Sequence, residues 1–230
     1  MPVAAAREAL RDAFERWGLP GALRLDNGYP WGHPAGLPTA LALWLAGRGV
    51  GLLFNAPRRP RDNGVVERSH GVTAAWAEPG TCAGPAELQA RVDDLDRLQR
   101  EEYPARAGRT RRQLFPGLGS PRRPYRRAAE AGQWREDGAR AHLAARVARR
   151  RVDAQGKVTV YARPYHVGVV HRGRDALVQY DPQAGAWLFT DARGVQWCRL
   201  PAEQITRERI LALDISAKPS KNRGKTSCPD

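Results

Sequence analysis

Two short apolar runs, Ala22 to Asp26 and Val50 to Phe54, most constrain what the first hundred residues can become. Each is too short for a helix with a buried face and is bounded by turn formers, which reads as a buried strand. Before the first run, Val3 to Trp17 is amphipathic, with Leu10, Phe14 and Trp17 on one face, and Gly18 and Pro20 end it. Between the runs lie a Gly/Pro loop, Tyr29 to Pro38, and an apolar helical stretch, Thr39 to Arg48, closed by Gly49. A Pro/Arg loop from Ala56 to Arg61 follows, then helical stretches from Asp62 to Trp76 and from Pro85 to Tyr103. Helix, strand, helix, strand, helix predicts an α/β layer over residues 1–103.

The pattern then changes. Residues 104–127 are rich in Pro, Gly and Arg and read as a linker, and Ala128 to Arg150 is helical in composition. From Lys157 the chain breaks into short alternating runs at 158–162, 164–170, 175–180, 186–190 and 194–199. The segments between them, such as Arg172-Gly173-Arg174 and Asp181 to Gly185, read as hairpin turns. Five short strands in so little chain predict a small all-β barrel over 157–214. Residues 104–156 form the Arg-rich connector, and 215–230 is a polar, basic tail expected to be disordered.

Charge points to a polyanionic partner. The net charge is +14, and Lys occurs only at 157, 218, 221 and 225, so nearly all of the positive charge is Arg. Arg makes planar, two-pronged contacts with phosphate. From Tyr103 to Arg151 there are fourteen Arg against three acids, Glu130, Glu136 and Asp137. A concentrated basic segment of this kind suits a nucleic-acid backbone. Arg122, Arg123, Arg126 and Arg127 could follow it between the domains, and Arg172 and Arg174 could grip phosphate from a turn. The cysteines, Cys82, Cys198 and Cys228, are scattered, which argues against a structural zinc site and fits a reducing, cytoplasmic setting. No apolar run reaches the roughly eighteen residues of a membrane span.

Two strings carry the chemistry: Leu25-Asp26-Asn27-Gly28, and Pro60-Arg61-Asp62-Asn63-Gly64-Val65-Val66-Glu67-Arg68. Asp26 ends the first predicted strand, and Glu67 sits just inside a predicted helix. Phosphodiester chemistry needs an attacking oxygen, an in-line leaving oxygen and charge neutralisation, which two divalent ions held by carboxylates supply. Each string also has an ordinary structural reading. Asp-Asn-Gly is a common turn, and Asn63 can cap a helix whose first-turn acid, Glu67, suits the dipole.

Together, with forty residues between the acids, the strings resemble the second half of a DDE transposase or retroviral-type integrase core, a ribonuclease-H-like fold. That family places Asp-Asn-Gly after a strand, then a helix, a strand, a Pro-rich flexible loop and Asn-Gly-x-x-Glu-Arg on a helix. The resemblance is strongest over residues 10–76. It extends as a basic connector and an SH3-like barrel, as in bacterial insertion-sequence transposases. It implies that Asp26 and Glu67 are catalytic acids that bind Mg²⁺ or Mn²⁺, and that Asn63 and Gly64 shape the flexible loop. It also implies that Arg68 contacts DNA or braces its helix, and Arg58, Arg59 and Arg61 in the loop are further candidate DNA contacts. The partners implied are transposon ends and target DNA, and the reaction is Mg-dependent strand transfer in DNA integration and recombination.

The chain departs from the family in three ways. The family's first catalytic Asp lies on an earlier strand, and no residue before Asp26 matches it, since Asp12 falls on a helix. The positions two turns after Glu67, where the family often carries Lys or Arg, are Ala74 and Ala75. The spacing between the acids is slightly long. The expectation is an N-terminally truncated, nucleoid-associated DNA-binding remnant, inactive alone. Two alternatives stand beside it: a regulator that pairs with full-length transposase and inhibits it, and an RNA-binding module in which the carboxylate strings are incidental.

Overall fold

The computed structural model describes residues 2–32, 36–56, 64–121 and 123–216. The expected flexible loop around Arg58, Arg59, Arg61 and Asn63, Arg122, and the tail expected to be disordered from Ala217 onward lie outside the described residues. The chain forms two compact units, one of residues up to Phe54 together with those from Tyr125 onward, the other from Asn55 to Pro124.

The larger unit begins with helix α1 (Val3–Trp17), strand β1 (Ala22–Leu25), helix α2 (Ala40–Ala46) and strand β2 (Gly51–Phe54). β1 and β2 pair in parallel, with Leu25 opposite Phe54. α2 makes the required crossover, because parallel neighbours cannot be joined by a tight turn. Its sequence, Ala-Leu-Ala-Leu-Trp-Leu-Ala, is apolar on every side, as a helix buried on all faces must be. Leu41, Leu43, Trp44 and Leu45 are fully buried. Each contributes about 1.5–3 kcal/mol relative to exposure. Leu41, Trp44 and Leu45 join Ala6 and Phe14 of α1 and Tyr125, whereas Ala40 and Leu43 face a second, larger core.

That second core lies under the C-terminal strands. Helices α6 (Glu130–Gln133) and α7 (Glu136–Ala144) lead into β5 (Val147–Arg151), β6 (Lys157–Val160), β7 (Arg163–His166), β8 (Asp175–Asp181), β9 (Ala186–Thr190) and β10 (Gln196–Pro201), and α8 (Arg207–Leu211) follows. The strands expected from Lys157 onward are present, but they do not close into a barrel. β10, β9, β8 and β5 form an open antiparallel sheet in that order, and β6 pairs only with β7. Closure is unnecessary for burial here. Leu43 of α2 and Ala139 and Leu143 of α7 cluster with the sheet residues Val178, Phe189 and Leu200.

Residues 147–151 correct the expectation of helix through Arg150. Val147 to Arg151 pair antiparallel with Gln179 to Asp175, burying Ala148 while Arg149 and Arg151 face solvent. The expected linker likewise holds structure. In the smaller unit, α3 (Gly64–Ala77) and α4 (Pro85–Glu101) are followed by a hairpin, β3 (Pro104–Arg106) with β4 (Arg109–Thr110), and by α5 (Arg111–Leu114). Ala107 and Gly108 both take positive φ in its two-residue turn, the conformation that matches strand twist. Thr110 and Gln113 form a reciprocal capping box on α5. Arg91 ties α4 back to α3 and the turn after it, with Nη1 donating to the Ala77 carbonyl at 3.3 Å and to the Thr81 hydroxyl at 2.8 Å. The fold is therefore mixed α/β, and among the described residues no helix is long and apolar enough to cross a membrane.

Candidate functional site

Asp26 follows directly on β1. Because Leu25 and Phe54 are register partners, the two parallel strands end side by side, and Asp26 leaves at their carboxyl end. In open α/β sheets this is the end where ligands bind. Leu25 is buried and Asp26 exposed, so the strand anchors the backbone and presents the carboxylate. The loop that follows is pinned at both ends. Gly28 and Gly32 exchange backbone hydrogen bonds at 2.6 and 2.7 Å. The Thr39 hydroxyl accepts from the Ala42 N–H at 3.2 Å and donates to the Pro30 carbonyl at 3.0 Å. Gly28 takes φ 120° with nothing crowding its α-carbon, so backbone conformation rather than space requires glycine there. Trp31 packs partly against the α1/α2 core.

Glu67 lies in the first turn of α3, exposed, beside Gly64 and Arg68. Asp26 belongs to the larger unit and Glu67 to the smaller. Both are hard carboxylate donors of the kind Mg²⁺ takes together with water. Among the described residues no group of three or more His, Cys, Asp or Glu side chains is gathered as a metal site.

Arg68 also opens a groove that motif reading misses. It is lined by Arg68, Ser69, Val72 and Trp76 of α3, by Gln99 and Tyr103 at the end of α4, and by Arg111 of α5, with a volume of about 710 Å³. Trp76 and Tyr103 meet edge to face at 5.8 Å, and both are about half exposed, at 48% and 50%. Arg111 donates to the Gln99 carbonyl at 2.7 Å. Among the described residues no acid forms an ion pair with Arg68 or Arg111. The signal available in the sequence was the spacing of Arg68, Val72 and Trp76 at i, i+4 and i+8, which lines one helix face.

The other basic residues fall into two groups. Arg127 is engaged by α1, through Asp12 at 2.7 Å and Glu8 at 3.2 Å. Arg126 is exposed and Arg123 half-buried. Arg172 and Arg174 stand at the end of β5, where Val152 donates to the Arg174 carbonyl at 2.9 Å and Gly173 to the Val152 carbonyl at 3.0 Å. Both are exposed, and with Arg149 and Arg151 they form one basic patch on an edge strand. Asp175 is the acid within it; its hydrogen bond from Arg149 holds its carboxyl below the usual range.

One of the acids in the Arg-rich segment is buried, which its local sequence does not signal. Glu130 accepts from Arg11 Nε at 2.6 Å, Arg11 Nη2 at 2.8 Å, the Trp44 indole at 2.9 Å and the Tyr125 hydroxyl. Arg48 Nη2 lies 2.7 Å from it, and its guanidinium stacks 3.9 Å over the Trp44 ring. Burial opposes ionisation of Glu130, but the hydrogen bonds from Arg11, Tyr125 and Trp44 and the charge of Arg48 outweigh it and hold the carboxyl down at about 2. Burial also brings Arg48 down to about 10, still a cation near neutrality, and pushes Tyr125 up to about 12, a hydrogen-bond donor. The cluster joins α1, α2 and the chain around Tyr125. No protein-family model matches the chain.

Proposed function

We propose that this chain is a DNA-binding segment of a DDE-type transposase or integrase, with Asp26 and Glu67 as two of its metal-binding acids. In this reading β1, α2 and β2 belong to the second half of a ribonuclease-H-like layer, and α3 carries its third acid. The observation that carries it is the position of Asp26. It stands at the carboxyl end of a parallel β1–α2–β2 pair, and the next helix carries Glu67 in its first turn. Support also comes from the basic patch of Arg149, Arg151, Arg172 and Arg174, because a run of guanidiniums with one acid among them favours phosphate. Transposon ends and target DNA are the partners, and a full-length transposase is a further one.

The 230 residues present two of the three acids the reading needs, so the chain alone neither nicks nor joins DNA with Mg²⁺ or Mn²⁺. Fluorescence anisotropy with duplex DNA and with structured RNA at moderate salt tests the reading. Tighter binding to duplex DNA supports it. Preference for structured RNA, or nicking by the parent chain with Mg²⁺ or Mn²⁺ that Asp26→Ala and Glu67→Ala abolish, contradicts it.

A further inference from the structure

We propose that the groove between α3, α4 and α5 binds an unpaired nucleotide of single-stranded DNA. This deepens the DNA-binding reading and rests on it. Large aromatic rings left exposed together are the informative exception to burial, and Trp76 and Tyr103 are such a pair. Every base has a π face that stacks on such rings without regard to sequence. In duplex DNA those faces are covered by neighbouring base pairs, so only an unpaired base can use the groove.

The charges select the occupant. Arg68 stands two turns before Trp76 on the same helix face, about 12 Å along the axis. Arg111 stands on the opposite wall, oriented by the Gln99 carbonyl. An apolar partner laid over Val72, Trp76 and Tyr103 would strip water from two guanidiniums that no acid compensates among the described residues. A phosphodiester satisfies both while its base stacks on a ring. Gln99 adds an amide that both donates and accepts, suited to a base edge. The volume, about 710 Å³, matches a small-ligand site, a class that spans about 300–1,000 Å³.

The test measures binding of labelled oligo(dT), of oligo(U) and of duplex DNA to the full chain and its variants. Trp76→Ala and Tyr103→Ala should each weaken oligo(dT) binding on the order of tenfold. Tyr103→Phe, which keeps the ring, should bind as the parent does. Arg68→Gln should weaken oligo(dT) binding and flatten its salt dependence, and duplex affinity should be unchanged in Trp76→Ala, Tyr103→Ala and Tyr103→Phe. Oligo(dT) should also quench the fluorescence of the parent more than that of Trp76→Phe, a comparison that needs no alanine variant to fold. Oligo(dT) affinity and quenching indifferent to position 76 overturn the proposal, as does tighter binding of oligo(U). If duplex binding persists in that case, the groove alone is refuted; if the parent binds no DNA, the wider reading fails.

Discussion

Glu130 and Arg11, 119 residues apart in sequence, meet as a two-pronged ion pair with Nε–Oε2 at 2.6 Å and Nη2–Oε1 at 2.8 Å. The pair lies beside Trp44 and Arg48, so one carboxylate closes α1 and α2 against the returning chain. Removing it takes away the carboxylate that Arg11 and the 4% exposed Arg48 both face. Glu130→Ala should destabilise the larger unit by about 3–5 kcal/mol. Urea unfolding checks this, and Glu136→Ala, which loses only a half-exposed pair with Arg140, should change stability by less than about 0.5 kcal/mol.

The same acid sets a pH dependence. Its carboxyl titrates at about 2 when folded, against an ordinary value of 4.5. A depressed carboxyl contributes stability that is fully present above 4.5 and is lost as pH falls toward 2. Urea midpoints should therefore hold from pH 7 to about 5 and fall below that. Other carboxylates share in acid unfolding, so the diagnostic quantity is the difference between the parent and Glu130→Gln, which should shrink as pH drops from 5 to 2.

Gly47 has the indole of Trp134 in the space a side chain would need: a β-carbon there would lie 2.1 Å from Nε1. Trp134 is 2% exposed, so it has little room to retreat. Gly47→Ala should cost about 1–3 kcal/mol through overpacking. Thermal unfolding measures it, and Gly132→Ala, where no neighbour lies within 4 Å and φ is not positive, isolates the contribution of crowding.

Arg172 and Arg174 are exposed at the end of β5. If each neutralises one phosphate, Arg172→Gln and Arg174→Gln should each weaken duplex binding and reduce the slope of log affinity against log salt by about one. Anisotropy at several salt concentrations reads both effects, and a slope unchanged in the double variant removes the patch from the interface.

Local pattern made part of the fold legible. β1, α2 and β2 were readable because apolar runs bounded by Gly and Pro admit few alternatives, and the strands from Lys157 were readable from period-two burial and turn residues. β5 was not, because Val-Ala-Arg-Arg-Arg has helical composition; only its ladder with β8 makes Ala148 an interior residue. The barrel expectation failed because strand count says nothing of what covers a sheet, and helices cover this one. Thr110-x-x-Gln113 was a legible capping box inside a stretch read as linker. Glu130 carried no local signal, since its four partners come from α1, α2 and Tyr125. The strings around Asp26 and Glu67 were legible as motifs, while the groove past Arg68 needed the packing of α3 against α4 to appear.

Mn²⁺ titration followed by electron paramagnetic resonance tests most directly the proposal that Asp26 and Glu67 are metal-binding acids. Asp26→Asn and Glu67→Gln are each predicted to weaken Mn²⁺ binding. Mn²⁺ affinity untouched by both substitutions would contradict it.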